Sequence, residues 1–100
     1  MAGFKETVYK NPLEIEFENR RISFSREKQY NIELKGRILR HIYNADFILF
    51  DQILLEVKAT PIIINPFVAQ TINYLKASGP GLGIIAKFGE TSFTFKRVVF

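Results

Sequence analysis

Tyr30, Ile32 and Leu34 alternate with Asn31 and Glu33, the two-residue period of a strand with one buried face. That alternation predicts an extended segment over 22–34. Lys35-Gly36 reads as a turn, and a second strand follows over about 37–50. Asp51-Gln52 marks another turn, and Ile53-Leu-Leu-Glu-Val-Lys-Ala59 reads as a third strand. Upstream, residues 3–20 read as helix, with Phe4, Val8 and Ile15 contributing to an apolar face. Pro12 interrupts that helix, and Asn11-Pro12 has the form of a cap followed by a first-turn proline. A kink or two short pieces are therefore expected. Downstream, residues 60–64 connect to a helix that starts with Asn65 as cap and Pro66 at the first position. It runs to about Ser78 and stops at Gly79, with Pro80 beyond. A short apolar strand spans 82–88, a turn 89–92 and a last strand 93–100. No repeat, low-complexity tract or linker divides the chain, so a single domain over 1–100 is expected. The order α-β-β-β-α-β-β predicts an α/β fold: a mixed β-sheet flanked by helices, built from a meander and a helical crossover.

The third strand carries the candidate chemistry. Ile53, Leu55, Val57 and Ala59 share one side, and Leu54, Glu56 and Lys58 share the other. A strand apolar on both faces is normally central and buried. A glutamate and a lysine inside it need a partner or a metal. Asp46 precedes Glu56 by ten residues, across the Asp51-Gln52 turn. A two-residue loop pairs Phe50 with Ile53 and turns Asp46 away from Glu56. A three-residue loop pairs Leu49 with Ile53 and sets the two acids opposite each other. Opposed carboxylates about 4.5–5.5 Å apart at Cβ repel, and a divalent cation relieves them. All-oxygen ligands suit Mg²⁺ or Mn²⁺. Lys58 on the same face would then act on a metal-activated water or a phosphate. The plainer alternative is a cross-strand Glu56–Lys58 ion pair at a sheet edge.

Composition narrows the remaining classes. A chain of 100 residues that is 47% hydrophobic has enough apolar side chains for one core and is not disordered. No run approaches the roughly 18 apolar residues of a membrane span. The start lacks an apolar signal segment, so the expected compartment is cytoplasmic and no membrane partner is expected. With no cysteine and a single histidine, His41, disulfides, thiolate sites and multi-histidine zinc sites are excluded. A Ser-His-Asp triad would have to use His41, which reads better as a packed or surface residue.

The wider pattern resembles the PD-(D/E)XK nuclease superfamily in Ala-Asp46…Leu-Glu56-Val-Lys58-Ala. More narrowly, the chain is similar to the GxxExxY protein family. Gly3-Phe-Lys-Glu6-Thr-Val-Tyr9 matches the name motif. Ala69-Gln70-Thr-Ile-Asn-Tyr-Leu-Lys-Ala77 resembles the family's helix, and residues 83–89 and 95–99 resemble its last two strands. The resemblance implies a restriction-endonuclease-like core and a Mg²⁺- or Mn²⁺-dependent nuclease. It implies Asp46 and Glu56 as metal ligands, Lys58 as catalytic lysine, and Gln70 reaching the site from the following helix. Glu6 or Glu16, on one stripe of the first helix with Tyr9 and Leu13, would complete the metal site; a solvated helix face is their alternative role. The chain departs from the family in three ways. It lacks the helix usually found before the name motif, so a shortened N-terminus is expected. It carries Pro12 where a helix former is usual, and Phe67 and Val68 where polar residues are common.

The net charge of +4 permits an anionic partner. Arg20, Arg21, Arg26, Lys28, Lys35, Arg37 and Arg40 concentrate half of the 14 cationic residues in about a fifth of the chain. They would track phosphates of nucleic acid, DNA in the first instance, or protect an edge hairpin. The competing functional readings are a catalytically inactive nucleic-acid-binding or protein-interaction domain on the same fold, and an oligomerisation unit. A homodimer is compatible with each.

Overall fold

A computed structural model describes residues 2–34, 36–60, 62–89 and 93–99. The order is α1 (Ala2–Asn19), β1 (Phe24–Leu34), β2 (Arg37–Leu49), β3 (Ile53–Lys58), α2 (Asn65–Ser78), β4 (Leu82–Phe88) and β5 (Phe93–Val99). The strands form one sheet in sequence order. β1, β2 and β3 pair antiparallel, β3 and β4 pair parallel, and β5 returns antiparallel to β4. The parallel step requires the crossover that α2 supplies.

The two faces of the sheet carry separate cores. Leu75, Ile72, Tyr74, Phe67 and Val68 of α2 pack against Tyr43, Ala45, Ile48, Leu54, Ile85 and Val98. Tyr9, Leu13 and Phe17 of α1 pack against Phe47, Leu55, Val57 and Ala86 on the other face. Gly83 brings α2 onto β4: a Cβ there would lie 2.9 Å from Thr71 Cγ2. β3 therefore lies between both helices, and its residues from Leu54 to Val57 are all buried. Strand β5 is open by comparison, with Phe93, Phe95 and Val99 exposed. Among the described residues no helix is long and apolar enough to cross a membrane.

Three local expectations change. Of the two alternatives at Pro12, a kink or two short pieces, the second does not occur: α1 is one helix through Pro12; it packs along one face of the sheet, and that packing outweighs the lost backbone bond. The cap of α2 is Ile64, in extended conformation, so Asn65 is already helical and makes no side-chain cap. Gly79 ends α2 as expected, at φ 98° with its N–H on the Leu75 carbonyl. Strand β2 ends at Leu49, one residue early, because Phe50 and Asp51 adopt positive φ of 55° and 56°. The loop is thus Phe50–Gln52, closed by Gln52 N–H on the Leu49 carbonyl at 2.9 Å.

Candidate active site

The three-residue loop pairs Leu49 with Ile53, Ile48 with Leu54 and Phe47 with Leu55. The next step in that register sets Asp46 opposite Glu56, but the described pairing stops before it. The amide of Val57 instead donates to Asp46 Oδ2 at 2.8 Å. The acid takes the place of a backbone acceptor, which fixes its carboxylate at the point where β2 and β3 cease to pair.

A second irregularity meets the first. On a regular strand Tyr43, Ala45 and Phe47 would share a face. Here Tyr43 and Ala45 lie in the α2 layer and Phe47 in the α1 layer. On β1, Tyr30 and Phe24 are divided between the layers in the same way. Both strands reverse their pleat together, at Glu27 and Asp46. Glu27 has φ 55°, and this facing pair is skipped in the β1–β2 register. Asp46 is consequently reached from both layers.

From the α2 layer comes Glu56, 5% exposed. Burial, then the neighbouring Asp46 charge, pushes its pKa up to about 8. The Tyr43 hydroxyl donates to Glu56 Oε1 and opposes that rise, as does the Lys58 charge. The Tyr43 hydroxyl is itself pushed well up by burial and by Glu56. Its ring stacks on Tyr74 of α2 at 3.6 Å between centroids. Burial, followed by Glu56 and Asp46, raises Tyr74 as well.

From the α1 layer comes Lys10. Its ammonium lies 2.7 Å from Asp46 Oδ1 and 2.7 Å from Glu27 Oε1. Burial works against the Lys10 charge, but bonds to Asp46 and Glu27 outweigh it and the net shift is upward. Lys58 Nζ donates to Gln70 Oε1 at 3.3 Å and lies 4.9 Å from the Phe67 ring centre. The apolar Phe67 noted as a departure in the sequence thus forms one wall beside the lysine.

The structure brings together Asp46, Glu56, Lys58 and Gln70. Of the first-helix acids, Glu16 is paired elsewhere. Glu16 accepts from Arg20 at 3.0 Å on the exposed side of α1. Among the described residues no three His, Cys, Asp or Glu side chains form a metal-holding group. An i,i+4 pair on a solvated helix face accounts for Glu16.

The basic run is also dispersed. Arg20 is tied to Glu16, and Arg26 binds Asn11 at 2.8 Å and Glu14 at 3.5 Å. Lys28 sits over the Tyr30 ring at 5.4 Å. The reversed pleat divides Arg26, near Phe47 of the α1 layer, from Lys28, beside Tyr30 of the α2 layer. Arg21 and Arg37 are exposed. Lys35 and the side chains of Arg40 and His41 lie outside the described residues.

Two oxygen ligands that repel each other suit a hard divalent cation, with waters or phosphate oxygens completing its shell. Burial, then the Asp46 charge, disfavours the ionised form of Glu56, and a cation beside the pair would relieve both. Lys10, Glu27 and Tyr43 were not apparent from the sequence. A regular β2 puts Tyr43 and Asp46 on opposite faces, and no local motif announces the reversal.

A family model for the PD-(D/E)XK nuclease superfamily matches residues 2–98. The crystal structure of SSO0001 superposes with a TM-score of 0.76 at 16% identity, over 93% of this chain and 48% of that one. An alkaline exonuclease from Laribacter hongkongensis superposes with a TM-score of 0.71 at 9% identity, over 99% of this chain and 58% of that one. The chain thus spans about half the length of these solved structures. A local match to adenylosuccinate synthetase from Brachyspira hyodysenteriae is 34% identical over 53 residues, only 12% of that protein. The structural likenesses show a restriction-endonuclease-like α/β fold.

Proposed function

Because the chain belongs to the PD-(D/E)XK nuclease superfamily, we propose that it hydrolyses phosphodiester bonds of nucleic acid with the help of a divalent metal ion. The observation that carries this reading is the convergence of Asp46 and Glu56 beside the Lys58–Gln70 pair. Asp46 and Glu56 would hold Mg²⁺ or Mn²⁺, which supplies Lewis acidity and an acidified water when bound. Val57 N–H orients Asp46, and Tyr43 favours the ionised form of Glu56. Lys58 offers a cation to the phosphate, held in place by Gln70 and Phe67. The motif at residues 3–9 and the helix at 69–77 support the narrower GxxExxY assignment within this reading. DNA is the first substrate to test.

A second reading draws on Lys10. An ammonium already neutralises Asp46, as expected of a scaffold that binds partners without catalysis. Calorimetry with Mn²⁺ on wild type and Asp46→Ala separates the two. Binding lost in Asp46→Ala, followed by Mn²⁺-dependent cleavage of DNA, supports the nuclease. No binding and no cleavage by a folded wild type leaves the scaffold.

A further inference from the structure

We propose that Lys10 is a resident counter-ion of the candidate metal site, which a divalent cation must displace from Asp46, and that Glu27 is the seat onto which it withdraws. The inference rests on the metal-site reading above. Lys10 bridges the two acids at equal distances of 2.7 Å, although Glu27 is roughly half exposed and Asp46 is largely buried. Asp46 has no idle oxygen: Oδ1 receives Lys10 and Oδ2 receives the Val57 amide. A metal on Oδ1 at the usual distance of roughly 2.1 Å would lie within about 5 Å of the ammonium even with the oxygen directly between them. Two cations so close on one oxygen repel, and Lys10 already holds a second carboxylate, Glu27, at 2.7 Å.

The arrangement does what a permanent ion pair does not. With the metal absent, Lys10 prevents Asp46 from facing Glu56 as an uncompensated charge. With the metal present, Glu27 takes the ammonium whole, at the solvent side of the reversed pleat. Lys10 is therefore a positioning residue that trades metal affinity for order in the metal-free protein.

The test is Mn²⁺ calorimetry at neutral pH on wild type, Lys10→Met, Lys10→Gln and Lys10→Arg, with Lys96→Met as a control for net charge. Lys10→Met and Lys10→Gln are expected to bind Mn²⁺ at least tenfold more tightly than wild type. Lys10→Arg, which keeps the charge, and Lys96→Met on β5 should stay within about twofold. A merely structural lysine gives the opposite sign, because its loss loosens the site and weakens binding. If Lys10→Met does not fold, Lys10→Gln retains a hydrogen-bonding group and carries the test. Wild-type binding that is unchanged or weakened in both neutral variants overturns the Lys10 proposal and leaves the metal site standing. An equal gain in Lys96→Met also overturns it. No binding in any variant overturns both proposals.

Discussion

Glu56 makes the stability of this fold depend on pH in a direction opposite to that of most surface carboxylates. Its pKa lies at about 8, against an ordinary value of 4.5. Between those values the folded chain holds a proton that the unfolded chain has released. The unfolded state then binds fewer protons, so stability falls as pH rises. At about 1.4 kcal/mol per unit, the loss reaches about 3 kcal/mol by pH 7 and about 5 kcal/mol above pH 9. A domain of this size has only about 5–15 kcal/mol in hand. Glu56→Gln removes the titration while keeping a neutral group against Tyr43. In urea denaturation with EDTA, the variant and wild type should be similar in stability at pH 5. The variant should be the more stable at pH 7, and by a wider margin at pH 9. Excess Mn²⁺ should narrow the gap, since the ionised wild-type pair gains a counter-ion that the neutral amide of the Glu56→Gln variant binds far less well. A difference between the two proteins that does not change from pH 5 to pH 9 refutes the argument.

Two further perturbations test the supports of the site. Gly83→Ala forces a methyl group against Thr71 and Leu75, at 2.9 and 3.3 Å; a loss of about 1–3 kcal/mol in denaturant stability is expected, and an unchanged midpoint would show that α2 can retreat freely. Tyr43→Phe removes the hydroxyl that holds Glu56 down. Mn²⁺ binding should weaken several-fold at pH 7 and recover as pH is raised, whereas equal weakening at every pH would assign Tyr43 to packing alone.

The strand and helix order was legible because it rests on local signals: alternation in β1, the double-faced apolar run of β3, and Gly79 after α2. The start of α2 differs by one residue, because an extended Ile64 serves where Asn65 has the look of a cap. The division of α1 into two pieces at Pro12 does not occur, because a helix packed along its length tolerates one missing bond. The basic run was less legible for a different reason. Sequence proximity does not decide which cations stay free, and Arg20 and Arg26 are engaged by α1 acids.

The candidate site shows where reading by period stops. The opposition of Asp46 and Glu56 was conditional on a three-residue loop, and Phe50 and Asp51 provide that loop by taking positive φ without a glycine. Such a turn stores strain, which a chain keeps only where surrounding contacts impose it. Here Phe50 N–H is held by the Ser23 carbonyl, so the residue leading into β1 helps to fix the loop that sets the β2–β3 register. Strands β1 and β2 then reverse their pleat at Glu27 and Asp46. A strict two-residue period would have given Asp46 to one helix layer alone. The reversal lets one carboxylate meet Lys10 of α1, the amide of Val57 and the charge of Glu56 together. The departures from regular sheet geometry therefore coincide with the residues proposed to do the chemistry, because a carboxylate facing three elements cannot be placed by a regular strand.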